Sequence, residues 1–297
     1  AMTGPPLDFR NQRLPAQTRR PNAMLALTSD ETAAESTTPL LPARRRQVIV
    51  DFLHRHGAVT LQQLSQALHV SLSTLRRDLD ALAVAGEVDR THGGALLRSQ
   101  HYSTFEPDAR AASELSPAEK QAIGTAAAAA LEPHQSVIMD SGSTVAEAAR
   151  AVLARKIPLV VATNDLAIAQ MLVSSPLIQL HVLGGMLRAG SNTLIGQAVL
   201  DAARAIHADV LLLGAHAVTD GFVSETSPEV TAVKRALMQA ARSTRLLVDG
   251  SKFRPRAFSL ICEIKDIDVV ITDDGAPAEA LQRLRDQGAR VTIAHKA

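Results

Sequence analysis

Two stretches of this chain carry side chains suited to meeting anionic oxygen. The first is SLSTLRRDLDAL, Ser71 to Leu82. Ser71 caps a helix in which Leu72, Leu75, Leu79 and Leu82 recur at three- and four-residue steps and form one buried stripe. That turns Ser73, Thr74, Arg76 and Arg77 outward. Adjacent guanidiniums beside small hydroxyls near a helix N-terminus suit a surface that enters a DNA major groove and touches the phosphates on its rim. The second stretch is Asp140-Ser141-Gly142-Ser143-Thr144, between an apolar run and an alanine-rich helix. Gly142 permits close backbone approach, and the backbone N–H groups converge with the Ser143 and Thr144 hydroxyls on one point, aided by the helix dipole. This is a cradle for a phosphate. It lacks the lysine spacing of a nucleotide-hydrolysing loop.

The elements that position the first stretch can be read on either side of it. Arg44 to His56 is a helix with Val48, Ile49, Phe52 and Leu53 on its apolar side and Gly57 past its end. Arg44, Arg45 and Arg46 suit either the DNA backbone or a solvated charge run. Thr60 followed by Gln63 predicts a capping box for a short helix carrying Leu61, Leu64 and Leu68, and a turn at His69-Val70 leads to Ser71. The product is helix, turn, helix with a third helix before it. Gly86 ends the reading helix, and Glu87 to Leu97 reads as two strands bent at His92-Gly93-Gly94, a wing whose paired glycines let backbone approach the minor groove or a phosphate. Arg90 and His92 supply contacts there, although His92 reads equally well as a turn residue.

The second stretch belongs to an alternation of apolar strands and helices. SVIMD, PLVVAT, LIQLHVLGG, ADVLLLGA, RLLVDGS and IDVVITD are strands, Pro277 to Gln287 is a helix closed by Gly288, and RVTIA is an edge strand. Ser116-Pro117-Ala118-Glu119 predicts a capped helix start, running to about Leu131. Continuous apolar strands separated by helices require a mostly parallel sheet covered on both faces, so the fold class is α/β with an N-terminal winged helix-turn-helix. Ligands bind such sheets at the carboxyl ends of the strands. Those ends read Asp140 to Thr144, Thr163-Asn164, Gly184-Gly185, Gly214-Ala215-His216 and Asp249-Gly250-Ser251-Lys252.

The domain boundaries expected are a disordered tail over 1–42, a DNA-binding unit over 43–98, a linker over 99–115 in which Tyr102 and Phe105 pack down, and a sensing and oligomerising unit over 116–297. Arg10, Arg13, Arg19 and Arg20 of the tail suit solvent or nonspecific phosphate contact, and Met2 and Met24 are both possible starts. The formal net charge of +1 is unevenly spread: residues 44–98 hold 8 Arg against 5 acidic residues, whereas residues 99–297 hold 19 basic against 21 acidic. The excess therefore sits on the segment that would meet phosphates. Trp is absent and Tyr occurs once, which argues against aromatic platforms for sugars or single-stranded nucleic acid. Cys262 is the sole cysteine and reads as a small core residue, so disulfides and cysteine zinc sites are excluded. With neither a hydrophobic signal core nor a membrane-length apolar run, a soluble cytoplasmic protein without metal or cofactor is expected.

The run VTLQQLSQALHVSLSTLRRDLDALAVAGEVDRTHGGA resembles the N-terminal winged helix-turn-helix of the DeoR family of bacterial repressors in its VS opening, its TLRRDL core, its Gly86 exit and its R-x-HGGA close. Leu75 stands where that family often has isoleucine. Farther on, Lys120, DSGST, TN, LGG, Leu194 to Gly196, LLGA, Glu229 with Lys234, and VDGSKF fall in family order. The resemblance implies a sensor domain like ribose-5-phosphate isomerase, with phosphorylated sugars or related intermediates as ligands. It implies that Ser141, Gly142, Ser143 and Thr144 hold the phosphate, with Asp140, Asn164, Gly185, Lys252, Glu225 and Lys234 completing the pocket. Lys252 also reads as half of a surface ion pair. Double-stranded operator DNA and a phosphorylated small-molecule effector are the partners expected, and reading repeated half-sites requires a homodimer or homotetramer. An isomerase-like enzyme is the rival reading. It would need proton-transfer groups after the fourth strand, where the chain offers His216 and, farther on, Asp220. A purely architectural DNA protein would need no phosphate pocket at all.

Overall fold

The computed structural model describes residues 41–56, 58–91, 93–97 and 109–296. The tail arginines, Gly57, His92, Tyr102 and Phe105 lie outside the described residues. The head runs α1 (Pro42–His56), β1 (Ala58–Thr60), α2 (Leu61–Leu68), α3 (Leu72–Val84), β2 (Val88–Thr91) and β3 (Gly94–Leu97). Ile49, Leu53, Leu64, Leu75 and Leu79 are fully buried at its centre. Both arms of the Thr60–Gln63 capping box form, and the left-handed backbone of His69 makes the turn. The Ser71 hydroxyl accepts from the Thr74 amide at 3.3 Å.

Three features of the head differ from the sequence expectation. Leu72 is 38% exposed, so the buried stripe begins at Leu75, because the first turn of a helix has packing neighbours on only one side along its axis. Arg45 is turned inward: its Nε lies 2.5 Å from Asp78 Oδ2 and its Nη2 3.1 Å from Oδ1, tying α1 to the inner side of α3. The third is β1, which joins the wing in an antiparallel sheet ordered β1-β3-β2. A three-residue strand shows no alternation that a sequence pattern would reveal. It also gives Gly94 an internal role, since a Cβ there would lie 1.8 Å from the Val59 carbonyl oxygen.

The second part comprises α4 (Ala109–Glu114), α5 (Pro117–Ala129), β4 (Ser136–Met139), α6 (Ser143–Arg155), β5 (Leu159–Thr163), α7 (Leu166–Leu172), β6 (Ile178–Val182), β7 (Met186–Leu187), β8 (Leu194–Ile195), α8 (Gln197–Arg204), β9 (Ala208–Gly214), β10 (Ala217–Thr219), β11 (Phe222–Glu225), α9 (Pro228–Gln239), β12 (Ala241–Leu247), β13 (Ser259–Glu263), β14 (Val269–Asp273), α10 (Ala278–Asp286) and β15 (Arg290–Ala294). Seven strands form a parallel sheet ordered β15-β14-β12-β9-β4-β5-β6. Along β9, Leu211 and Leu213 pack into the core on one face of the sheet while Val210 and Leu212 pack into the core on the other. Burial on both faces is why these strands read as unbroken apolar runs. The chain winds outward from β4 in one direction through β5 and β6, and from β9 in the other through β12, β14 and β15. The topological switch point therefore falls between β4 and β9, where a crevice opens at the strand ends.

Two local expectations are corrected here. Ser116 has a left-handed backbone (φ 49°) and makes no side-chain cap, and Glu119 directs its carboxylate to Lys296 Nζ at 2.8 Å instead of closing a capping box. The segment read as linker contains a helix, α4, whose six residues are too few to show a period. Cys262 lies in β13, half-buried, with its thiol pushed up to about 12 by burial, which disfavours the thiolate. Among the described residues no helix is long and apolar enough to cross a membrane.

Candidate functional site

On the head, Ser71, Ser73, Arg76 and Arg77 are exposed, and Thr74 is half-buried. The three hydroxyls form a chain, with Ser71 Oγ 3.1 Å from Ser73 Oγ and 2.9 Å from Thr74 Oγ1. Arg76 and Arg77 project from α3 on the side away from the leucine stripe. Arg90 is partly engaged within the head, its Nε 3.0 Å from Asp80 Oδ1 and its Nη1 donating to the Gly94 carbonyl at 3.4 Å. It thereby joins the wing to α3. His92 lies outside the described residues.

At the switch point a cavity of about 590 Å³ opens between the β4–α6 turn and the β9–β10 turn. Ser141, Gly142, Ser143 and Thr144 line it from one side, and Gly214, Ala215 and His216 from another, with Glu225, Lys234 and Lys252. Gly142 holds φ at 126°, a conformation that side chains on Cβ disfavour, and as the residue preceding α6 it offers no side-chain cap. The hydroxyl and amide groups that open α6 are thus presented to the cavity. Six basic residues (Arg110, Lys120, Arg150, Arg188, Lys234, Lys252) line it against three acidic ones (Glu147, Asp165, Glu225), a basic excess along the lining.

Asp140, Asn164 and Gly185 are absent from that lining. Asp140 is fully buried behind it, where its Oδ2 accepts from Lys234 Nζ at 2.5 Å and from the Gly214 amide at 3.1 Å. Lys234 also donates to the Gly214 carbonyl at 3.1 Å and lies 3.6 Å from Glu225 Oε2. This buried triad fixes the β4 and β9 ends against α9 and β11. Asn164 is likewise fully buried and joins β5 to β8, its Nδ2 donating to the Leu194 carbonyl at 3.4 Å. Gly185 is required by close packing, since a Cβ there would lie 2.6 Å from Val199 Cγ2 and 2.7 Å from the Ile195 carbonyl oxygen.

Other residues come into the cavity that the motifs did not mark as ligands. Lys120, on α5, is buried, and burial together with the charge of Lys252 lowers its pKa to about 8. Its Nζ donates to the Ala112 carbonyl of α4 at 2.5 Å. The sequence marked Lys120 only by its place in the family order and by its position amid the alanines of α5, without a ligand role. Asp165 caps α7 through the Ala167 and Ile168 amides and also accepts from the Gly142 amide at 3.4 Å; burial pushes its pKa up despite those bonds. In sequence it looks like an ordinary helix cap. Burial pushes Asp249 up, but Lys252 and Lys120 outweigh it and hold this carboxyl below its usual value.

His216 is no candidate for proton transfer. Burial, then Arg254, lower its pKa to about 2, and Arg254 Nη2 sits 2.9 Å from its Nε2. Asp220 lines a different cavity, among β10, the segment after Lys252, and α10. Among the described residues no cluster of three or more His, Cys, Asp or Glu could hold a metal ion. The arrangement presents hydroxyl, amide and basic groups to the cavity, as binding of an anionic ligand requires.

The family described as the DeoR C terminal sensor domain matches residues 116–274, and the DeoR-like helix-turn-helix domain matches residues 45–101. The chain is 32% identical to a putative aga operon transcriptional repressor of Escherichia coli O157:H7 over 253 residues, covering 84% of this chain and 93% of that protein. It is 31% identical to the glycerol-3-phosphate regulon repressor of Escherichia coli K12 over 244 residues, covering 82% and 95%. Ribose 5-phosphate isomerase A of Methanocaldococcus jannaschii shares 15% identity at a TM-score of 0.34 over 46% of this chain and 53% of that one, a likeness that carries no argument about chemistry. From both domain matches and from full-length relatives, the chain belongs to the DeoR family of DNA-binding transcriptional regulators.

Proposed function

We propose that this regulator is a repressor of genes of carbohydrate or related metabolism, and that a phosphorylated sugar or similar metabolite in the switch-point cavity sets its operator affinity. One observation carries the reading: an uncapped α6 start bearing Ser143 and Thr144 opens into a cavity whose lining holds twice as many basic as acidic residues. Two relatives named as repressors of the aga operon and of the glycerol-3-phosphate regulon agree with that ligand class. Residues 43–98 would read double-stranded DNA through Ser71, Ser73, Thr74, Arg76 and Arg77, and residues 116–297 would sense. One α3 reads few base pairs, so the regulator works as a homodimer or homotetramer in the cytoplasm. The edge strand β6 and the neighbouring β7 expose Val182, Met186 and Leu187, which supports association through that side.

A thermal-shift screen tests the ligand. Phosphorylated sugars should raise the melting temperature, since a ligand selective for the folded state stabilises it, while the same sugars without phosphate should not. Replacing Ser143 and Thr144 together by alanine should abolish the shift and leave operator affinity intact. Equal shifts from phosphorylated and unphosphorylated sugars would refute the assignment.

A further inference from the structure

Helix α4 touches both working parts of the molecule. Ala109, Arg110, Ala112 and Ser113 help to line the cavity. The Ala112 carbonyl oxygen accepts from Lys120 Nζ at 2.5 Å and from Ser143 Oγ at 3.4 Å. At the other end of α4, Glu114 Oε2 accepts from Gln63 Nε2 at 3.0 Å, and Gln63 is the residue whose Oε1 closes the capping box at the start of α2. The backbone N–H of Ala109 is held by the Gly190 carbonyl at 3.0 Å.

We propose that the Ala112 carbonyl is a placeholder for an anionic ligand oxygen, so that ligand and α4 compete for Lys120 and Ser143, and α4 transmits the outcome to the head through Glu114 and Gln63. Lys120 is thereby assigned as a further ligand-binding residue. The inference rests on the anion reading of the cavity. A buried ammonium costs free energy unless it is hydrogen-bonded, and a neutral carbonyl compensates it less than a charged oxygen does. Burial, then the charge of Lys252, lower the pKa of Lys120 to about 8 even with the Ala112 bond and the carboxylates of Asp249, Glu119 and Glu147 acting the other way. A phosphate oxygen is the better partner for both donors. Once they turn to it, α4 loses its anchors at the cavity and is freed to shift, which loosens its contact with Gln63 as well. Coupling of this kind is reciprocal: whatever loosens α4 must favour the ligand, and the ligand must loosen α4.

Hydrogen exchange by mass spectrometry on the full chain, with inorganic phosphate as the probe, tests this. Phosphate should raise the melting temperature and speed exchange of the amides of residues 110–115 by about fivefold or more. Glu114→Ala, which removes one anchor of α4, should tighten phosphate binding by roughly threefold to tenfold, the range of one hydrogen bond. Lys120→Met and, separately, Ser143→Ala should weaken phosphate binding and blunt the exchange response. Two substitutions are used so that a folding defect in one does not decide the result. If phosphate binds but exchange in α4 is unchanged or slower, or if Glu114→Ala leaves phosphate affinity within twofold, the inference is overturned while the cavity assignment survives. If phosphate leaves the melting temperature of the parent chain unmoved, the cavity assignment falls, and this inference with it.

Discussion

Replacing Lys234 by methionine isolates the interaction that holds the floor of the cavity together. Lys234 Nζ lies 2.5 Å from Asp140 Oδ2 and 3.6 Å from Glu225 Oε2, and these three residues are 3%, 0% and 5% exposed. Methionine retains the volume but leaves two buried carboxylates without their cation. Asp140 then keeps only the Gly214 amide on Oδ2, since its Oδ1 has no hydrogen-bond partner among the described residues. Breaking a buried pair by removing one member typically costs about 3–5 kcal/mol. In a domain of this size each kcal/mol lowers the melting temperature by about 2–4 °C, so the fall should be about 6–20 °C. Thermal unfolding followed by circular dichroism reads it, with urea unfolding to confirm that the slope is unchanged. Adding Asp140→Asn to the same chain removes one stranded charge and should recover at least about 1 kcal/mol. A single variant that melts within about 2 °C of the parent, or a double variant no more stable than the single one, would refute the reasoning.

Three further outcomes are expected. Arg76→Ala with Arg77→Ala should weaken operator binding without lowering the melting temperature, and should shrink the slope of log K against log salt by about 1.8, the share of two phosphate contacts; an unchanged slope in a salt titration would remove these residues from the interface. Arg45→Ala should behave oppositely in stability, costing the head about 1–3 kcal/mol in denaturant unfolding, because it strands Asp78, which is 6% exposed. Lys120 gives a pH signature: burial depresses its folded pKa from 10.5 to about 8, so its relative stabilisation is complete above pH 10.5 and lost as pH falls through 8. Below that the charged, buried form costs about 3 kcal/mol, and the difference in stability between the parent and Lys120→Met across pH 7 to 11 should trace it; a flat difference would show that Lys120 is not desolvated.

The head was legible because its rules are local. Capping pairs such as Thr60 with Gln63 and leucines at helical spacing act within a few residues of one another, so the order of letters is enough. The same held for the parallel sheet, where burial of both strand faces leaves its mark as unbroken apolar runs, and for the Asp140 to Thr144 turn, whose glycine and hydroxyls are contiguous. Local order also misled. Ser116 and Glu119 have the letters of a capping box, yet a left-handed backbone and the distant Lys296 leave it unformed.

Arg45 and Arg76 are the same residue type on neighbouring helices, and the sequence marks Arg76 for the DNA-facing surface while leaving Arg45 between the DNA backbone and solvent. Only packing separates them, because the carboxylate that claims Arg45 lies 33 positions away on α3. Likewise Asp140 and Ser143 stand three letters apart, but one side chain is drawn behind the cavity by Lys234, 94 positions on, while the other opens into it. The sequence determined which chemistry the chain carries and which elements bear it. Which charges pair with each other and which face the cavity was decided by the tertiary structure, because an ion pair depends on distance in space and the partners here come from different strands and helices.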